Sequence, residues 1–242
     1  MTTSHGPIAL VGSGEYLAPL REMELALLQH GGSHRYVQIP TAAGQESHDR
    51  LRYWKELGAT QAHFLGAEQI FLPIYTREDA MREDFAAEID GAGLIYLSGG
   101  DPHYLARTLI DTPVFAAIMR NWKSGTSLAG CSAGAMAMGS DVPHFRHLKR
   151  EGEPGFSIVP HIRTIPHYDK FFKWIPEVAA QKLLRAPEGT IVLGIDEDTA
   201  AISHDRMSWQ VQGRGRVHVL NGERTGIFSD GQTFSLTHIS YE

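Results

Sequence analysis

The chain alternates short apolar runs with longer stretches whose apolar residues recur at helical spacing. The run from Ile8 to Val11 leads through a glycine turn into a helical stripe that includes Leu20, Leu27 and Leu28. Repeated strand–helix units of this kind are typical of a parallel sheet, because each crossover helix packs back onto the sheet. The sequence therefore predicts an α/β fold, a three-layer α/β/α sandwich with a mostly parallel central sheet.

The same pattern places the later elements. Strands are predicted over 36–39, 62–65, 94–97 and 127–129, and helices over 46–57, 77–89, 101–110 and 114–122. After about residue 185 short alternating runs are separated by turn signals such as Asn221-Gly222 and Asp230-Gly231. We expect one domain over 1–242, with the parallel part over about 1–185 and antiparallel hairpins over about 186–242 at the edge of the sheet.

Composition limits the partners that such a chain can have. With 22 basic and 28 acidic residues, its net charge of −6 argues against binding to nucleic acid or to an anionic membrane surface. No segment approaches the roughly 18 to 20 apolar residues of a membrane span, and the first residues do not resemble a signal peptide. The single cysteine cannot form an internal disulfide. We therefore expect a cytoplasmic protein that acts on a small molecule.

The strongest local motif is Gly130-Cys131-Ser132-Ala133-Gly134, which follows a buried strand and precedes a short helical stretch. It fits G-x-S-x-G, which needs small residues because the serine lies on a sharp strand-to-helix turn. Such a turn exposes the Ser132 hydroxyl and aims the Ala133 N–H at a developing oxyanion. We interpret Ser132 as a nucleophile; the alternative is a glycine-rich helix start that packs tightly or binds phosphate. Centring the motif on Cys131 would put alanine at both glycine positions, so we predict that Cys131 is a small buried side chain.

A serine nucleophile needs a base, and position selects one of the thirteen histidines. His167 ends the apolar run over 158–167, which predicts a strand whose carboxyl end lies where open α/β sheets place their sites. His161, in the middle of this run, is interpreted as structural. His144 and His147 lie in a polar stretch and are interpreted as solvent-exposed.

A second strand end, over 97–102, also leads into a predicted helix. Asp101 is typical of a helix N-cap when Pro102 follows it. Paired glycines allow backbone amides to approach a ligand, so we predict that the Gly100 N–H is a second oxyanion donor and that Asp101 and His103 contact substrate. The earlier turn over 12–15 lacks the third glycine of a dinucleotide-binding motif, which argues against a nucleotide there.

No metal and no other cofactor is predicted. No segment matches the H-E-x-x-H pattern of a zincin, and a lone cysteine cannot anchor a thiolate site. The remaining route to a metal is a set of acidic and histidine side chains that only the fold brings together.

Taken in order, the segments 99–101, 130–135 and 166–168 resemble the dipeptidase E and cyanophycinase family of serine peptidases. The segment 194–200, Gly-Ile-Asp-Glu-Asp-Thr-Ala, is similar to a cyanophycinase segment, and the resemblance runs over about 8–220. It implies a class I glutamine amidotransferase-like fold, Ser132 as nucleophile, His167 as base and an oxyanion pocket formed by the Gly100 and Ala133 amides. It also implies a monomer or homodimer that hydrolyses small peptides with an acidic or isoaspartyl amino-terminal residue.

Two departures limit what the resemblance implies. Cyanophycinases follow their histidine with arginines that bind the polymer, whereas here the next arginine is Arg185, so cyanophycin is not expected as the substrate. The family places an acidic residue between nucleophile and histidine, for which Asp141 is slightly preferred over Glu151, and a Ser–His dyad is the third option.

A substrate carboxylate would need a cation in the pocket. Arg163, Lys170 and Lys173 are the candidates, because they lie on or just beyond the run that ends at His167. Two other functions stay open at this point: an amidase or esterase for non-peptide substrates, and a ligand-binding protein that kept the fold without the chemistry.

Overall fold

The computed structural model describes residues 5–144, 152–174, 186–222 and 225–236. The helices are α1 (Arg21–His30), α2 (His48–Phe64), α3 (Arg77–Ala80), α4 (Glu83–Glu88), α5 (Pro102–Leu109), α6 (Pro113–Lys123), α7 (Ala133–Ala137) and α8 (Tyr168–Trp174). The strands are β1 (Ile8–Val11), β2 (Arg35–Ile39), β3 (Glu68–Phe71), β4 (Leu94–Leu97), β5 (Ser127–Cys131), β6 (Asp141–Val142), β7 (Glu153–Pro154), β8 (Ile162–Ile165), β9 (Ile191–Ile195), β10 (Thr199–Ser203), β11 (Ser208–Gly213), β12 (Arg216–Val219), β13 (Gly226–Ser229) and β14 (Thr233–Ser235).

An eight-stranded central sheet has the order β14-β11-β10-β1-β5-β4-β2-β3. The five strands from β1 to β3 in this order are parallel, and β10, β11 and β14 add antiparallel pairings at one edge. The predicted fold class, a mostly parallel sheet with antiparallel C-terminal strands at its edge, is therefore confirmed.

Helices cover both faces of this sheet. Successive side chains of a strand point to opposite faces: in β1, Ile8 and Leu10 join one apolar cluster, and Ala9 and Val11 join the other. The first cluster includes side chains of α5 and α6, whereas the second includes side chains of α1. The sheet is thus the middle layer of three. No helix in the described ranges combines the length and the apolarity needed to cross a bilayer.

The C-terminal strands do not all extend the central sheet. β9, β12 and β13 instead form a second sheet with β8, in the order β13-β12-β9-β8, in which β8 and β9 are parallel. The chain changes sheets between β9 and β10, at residues 196–198. A Cβ atom added at Gly12, just after β1, would lie 2.1 Å from the Asp196 carbonyl oxygen. The crossing segment therefore lies against the carboxyl end of β1.

Several predictions from local pattern differ from the structure. Residues 62–65 are the end of α2 and the residue after it, not a strand, because α2 continues through Gly58 and the strand that follows is β3. The helix predicted over 46–57 therefore does not end before Gly58, where the lack of a side chain instead allows close approach to the sheet: a Cβ there would lie 2.2 Å from Gln38 Oε1. The strand predicted over 158–167 is shortened to β8, so that His161 lies in a turn. The helix predicted over 77–89 is divided into α3 and α4.

A buried carboxyl group lies between α1 and the sheet. Glu24 is fully buried, and its Oε2 accepts hydrogen bonds from Tyr36 Oη at 2.9 Å and from Gln61 Nε2 at 3.1 Å. Burial outweighs these bonds and raises the pKa of Glu24 to about 7 from an ordinary 4.5. Between about pH 4.5 and 7 the folded state therefore keeps a proton that the unfolded chain releases.

This proton makes stability depend on pH. The contribution of protonated Glu24 is complete below pH 4.5 and is lost as the pH rises through about 7. Glu24→Gln resembles the protonated group and does not titrate. We therefore expect the difference in unfolding free energy between this variant and the unchanged protein to shift in favour of the variant by about 3 kcal/mol as the pH rises from 4.5 to 8. Urea unfolding of both proteins across this range measures the difference, and a difference that does not vary with pH would contradict it.

Candidate active site

The carboxyl ends of three adjacent strands form the centre of the site. β5 lies between β1 and β4, and Ser132 follows β5 directly. The Ser132 N–H donates to the Val11 carbonyl at 2.9 Å, and a Cβ added at Gly99 would lie 3.4 Å from Ser132 Cβ. The two strand ends that the sequence singled out therefore meet at Ser132, at the edge where parallel sheets place their sites.

Ser132 has a backbone conformation that few residues other than glycine adopt. Its φ is +49° and its ψ −105°, and α7 begins at the next residue. Neighbouring side chains would not fit: a Cβ at Gly130 would lie 2.6 Å from the Gly134 carbonyl carbon, and one at Gly134 would lie 2.4 Å from the Leu97 carbonyl oxygen. The small residues of the motif are thus required for a sharp strand-to-helix turn that holds the serine in a strained conformation.

A chain of hydrogen bonds runs from this serine to a carboxylate. Ser132 Oγ lies 3.2 Å from His167 Nε2, and His167 Nδ1 lies 3.0 Å from Glu197 Oε1. An ionised carboxylate only accepts hydrogen bonds, so it fixes the imidazole proton on Nδ1. His167 Nε2 then carries a lone pair and accepts from the Ser132 hydroxyl, which is the arrangement that a general base needs.

The acid beside His167 differs from the two that were predicted. The Asp141 carboxylate on β6 accepts from Arg163 Nη2 at 2.8 Å, and it neutralises this guanidinium instead of orienting His167. Glu151 lies outside the described residues. Glu197 lies beyond the histidine in the chain, not between nucleophile and histidine, and reaches His167 because the chain crosses from β9 to β10 at this point. Its segment over 194–200 carried part of the sequence resemblance, which was the available signal.

Glu197 is held from three sides. Its N–H donates to Asp169 Oδ1 at 3.0 Å, and its Oε2 accepts from Lys170 Nζ, both in the first turn of α8, while Oε1 faces His167. Burial of the carboxyl group opposes its ionisation, but the bonds from Lys170 and His167 outweigh this and lower the pKa of Glu197 below its ordinary value. Glu197 is therefore an anion over the whole neutral range.

The predicted substrate residues take different places in the structure. Asp101 Oδ1 accepts from the N–H groups of His103 and Tyr104, which makes it the N-cap of α5. Arg163 is 8% exposed and paired with Asp141, whereas Lys170, whose side chain is 42% exposed, pairs with Glu197. The side chain of Lys173 lies outside the described residues. Contacts of Asp101, His103, Arg163 and Lys170 with substrate stay predictions.

Two amides are predicted as oxyanion donors: Ala133 directly follows the serine, and Gly100 follows Gly99, which lies against it. Ala133 is the first residue of α7, where helix N–H groups have no partner within the helix. Gly100 has φ +141°, and a Cβ there would lie 2.3 Å from the Ala42 carbonyl oxygen, so this turn requires glycine. Their role as oxyanion donors stays a prediction.

Glu15 forms hydrogen bonds with two of these strand ends, a role that the sequence did not predict. Its Oε1 accepts from the Gly99 N–H and its Oε2 from Cys131 Sγ, each at 2.9 Å. Cys131 is completely buried, as predicted, and burial together with the negative charge of Glu15 raises the pKa of its thiol well above the ordinary value. The thiol is therefore a hydrogen-bond donor in the core, and Ser132 is the residue on this turn that faces the site histidine.

Known proteins resemble the chain over most of its length. A family model described as peptidase family S51 matches residues 8–210. A cyanophycinase of Trichormus variabilis is 29% identical over 209 residues, which cover 79% of this chain and 65% of that protein. A cyanophycinase of Geminocystis herdmanii is 27% identical over 217 residues, which cover 84% of this chain and 75% of that protein. The chain thus spans slightly less than two thirds of the Trichormus relative.

Two solved structures share the fold. A peptidase from an acI-B1 Actinobacterium superposes with a TM-score of 0.93 at 48% identity, with 97% of this chain and 98% of that chain covered. A putative peptidase E protein from Listeria monocytogenes EGD-e superposes with a TM-score of 0.65 at 16% identity, with 88% and 100% covered. At that identity the second likeness concerns the fold alone.

Proposed function

We propose that this chain, which belongs to peptidase family S51, is a serine hydrolase that cleaves an amide bond in a small peptide through an acyl-enzyme on Ser132. The observation that carries the proposal is the hydrogen-bonded series from Ser132 through His167 to Glu197. A nucleophile, a base and an acid that orients the base are the three groups that this chemistry needs. The strained turn at Ser132 is typical of a nucleophile elbow and further supports it.

The first half of the reaction forms the acyl-enzyme. His167 Nε2 takes the Ser132 proton while Oγ attacks the substrate carbonyl carbon, and the negative charge on the carbonyl oxygen is held by the Gly100 and Ala133 amides. The imidazolium formed on His167 is stabilised by the Glu197 anion beside Nδ1. When the carbon–nitrogen bond breaks, Nε2 returns the proton to the leaving amine.

The second half repeats this chemistry with water. A water molecule takes the place of the departed amine, His167 removes its proton, and the resulting hydroxide attacks the ester carbonyl. Collapse of the second oxyanion returns the proton from His167 to Ser132 Oγ and releases the acid. One base therefore serves both steps, and Glu197 keeps its ring in one tautomer throughout.

Small peptides with an acidic or isoaspartyl amino-terminal residue are the proposed substrates. The Trichormus and Geminocystis relatives are named cyanophycinases, but residues 168–174 contain none of the arginines that the resemblance to that family implies after the histidine. Lys170 is the proposed cation for the substrate carboxylate: its ammonium has three donors, and the bond to Glu197 leaves two of them. We also propose that the protein acts in the reducing cytoplasm, because its one thiol has no cysteine partner.

A serine-reactive fluorophosphonate tests the nucleophile directly. We expect a single label on Ser132 in assays between about pH 6 and 9, because His167 Nε2 accepts the proton of this hydroxyl. Peptide mapping by mass spectrometry locates the label, and heat-unfolded protein serves as the control. Folded protein that stays unlabelled over this range would instead favour a ligand-binding protein without the chemistry.

A dipeptide panel tests the substrate class. We expect kcat/KM to be highest for peptides that begin with aspartate or isoaspartate, and to fall at least tenfold for the matched asparagine peptides, because the charge pairing with Lys170 is lost. Chromatography of released amino acids measures the rates. Hydrolysis of simple amides or esters with no hydrolysis of any dipeptide would identify a non-peptide amidase or esterase.

A further inference from the structure

A second group of chemically reactive side chains lies beside the site and has no role in the proton transfers of the proposed hydrolysis. It consists of His103 in the first turn of α5, His144 just after β6, and Glu153 on β7. We call it the His103 cluster. α5 begins right after the Gly99-Gly100 turn, and β6 also carries Asp141, the partner of Arg163. The cluster thus joins two elements that border the site.

The possible ligand atoms of the His103 cluster lie close together. His144 Nε2 lies 3.4 Å from Glu153 Oε1, and His103 Nδ1 lies 3.8 Å from Glu153 Oε2. One ligand atom from each residue lies within 4.8 Å of the other two. Ligand atoms around a tetrahedral zinc ion, with bonds of about 2.0 to 2.2 Å, are about 3.3 to 3.6 Å apart. Each imidazole nitrogen therefore lies at about this distance from one of the two Glu153 oxygens.

His103 has an unmet hydrogen-bonding group at this place. Its Nδ1 is buried and makes no hydrogen bond within the described residues, since the 3.8 Å to Glu153 exceeds hydrogen-bond distance. The His103 and His144 rings stack at 4.1 Å with an interplanar angle of 15°, so neither ring can donate in its plane to the other. One of the two rings must therefore turn out of the stack before both can direct a lone pair at one ion. Buried polar groups without a partner are rare, and each one points to a missing partner.

We propose that His103, His144 and Glu153 bind one divalent transition-metal ion of the Zn²⁺ class. Two imidazoles and one carboxylate are a ligand set that zinc accepts, and they leave a fourth position for water or a ligand. The ion would give His103 Nδ1 a partner and would compensate the negative charge of Glu153. Neither its binding nor its test depends on the proposed hydrolase activity.

Arg107 is the competing cation. Its Nε lies 3.6 Å from Glu153 Oε2, on a side chain that is 64% exposed and free to turn toward solvent. A metal ion and this guanidinium repel each other, so binding of the ion requires Arg107 to move outward. Removal of the Arg107 charge should consequently strengthen metal binding, which is opposite to the effect of removing a ligand.

Calorimetric titration of the metal-free full chain with Zn²⁺ at pH 7 tests the proposal. We expect one equivalent to bind, His103→Ala and Glu153→Gln to weaken binding at least tenfold, and Arg107→Gln to strengthen it severalfold. His34→Ala, which removes an exposed histidine far along the chain from the cluster, is the matched control and should bind like the unchanged protein. Binding that His103→Ala leaves unaltered, or that Arg107→Gln weakens, would overturn the proposal.

Cobalt titration gives a second measurement that needs no variant to fold. Co²⁺ bound by two imidazoles and a carboxylate in a tetrahedral site has visible d–d absorption, which one equivalent of Zn²⁺ should abolish. Absence of this absorption in the unchanged protein at millimolar Co²⁺ would show that the three side chains only hold α5 to the β6–β7 pair.

Discussion

Ser132→Ala is expected to lower kcat/KM for a hydrolysed dipeptide at least a hundredfold, because the hydroxyl that attacks the carbonyl is removed while the turn that presents it is kept. The methyl group of alanine occupies the place of the serine Cβ, so the variant retains the packing of Gly99 against it. The amides at the turn and the binding pocket also remain, and they account for any residual catalysis. The rate of dipeptide hydrolysis by purified variant, with its thermal unfolding as a check on folding, measures the effect.

Cys131 offers the matched control, because it is the other nucleophilic side chain on the same turn. Cys131→Ser keeps a donor for Glu15 Oε2 and changes the size of a buried group only slightly. We expect its activity to stay within a few-fold of the unchanged protein, with a moderate loss of stability from the burial of a more polar group. A large loss in Cys131→Ser, together with substantial activity in Ser132→Ala, would transfer the nucleophile role to the thiol.

The features of this molecule that depend on residues adjacent in the chain could be predicted from the sequence. Ser132 was found because its glycines must fit a sharp turn, and those glycines do approach backbone atoms too closely for any side chain. His167 was found because it follows an apolar run that becomes β8. Gly58 shows the limit of such reasoning, since local pattern could not distinguish a helix stop from a close approach to Gln38.

The acid of the site depends on contacts that local pattern does not contain. Glu197 follows His167 by thirty residues, and it reaches the ring because the chain leaves the second sheet for the central one at residues 196–198. The acid was expected between nucleophile and histidine, which favoured Asp141. Nothing in the residues next to Asp141 indicates that its carboxylate pairs with Arg163. The His103 cluster also combines residues from separate parts of the chain, so no spacing in the sequence indicates it.

Glu197→Gln is expected to lower kcat about a thousandfold or more with little change in KM, because it would place the imidazole in the wrong tautomer. Lys170 Nζ donates to one oxygen of Glu197, so the glutamine will turn its carbonyl oxygen to Lys170 and its NH₂ group to His167. His167 Nδ1 must then accept and Nε2 carries the proton, so the ring cannot take the proton of Ser132. Steady-state kinetics on a dipeptide substrate separate kcat from KM.

Two further variants make this prediction specific. Lys170→Met in the Glu197→Gln background removes the donor that fixes the amide, so the glutamine oxygen can face His167 again and part of kcat should return. Asp141→Asn removes the negative charge that Arg163 pairs with, and we expect it to cost about 1 to 3 kcal/mol of stability while kcat falls less than tenfold. If Asp141→Asn lowers kcat more than Glu197→Gln does, Asp141 is the acid that orients the base, and the bond between His167 and Glu197 serves only to hold α8 against the crossing segment.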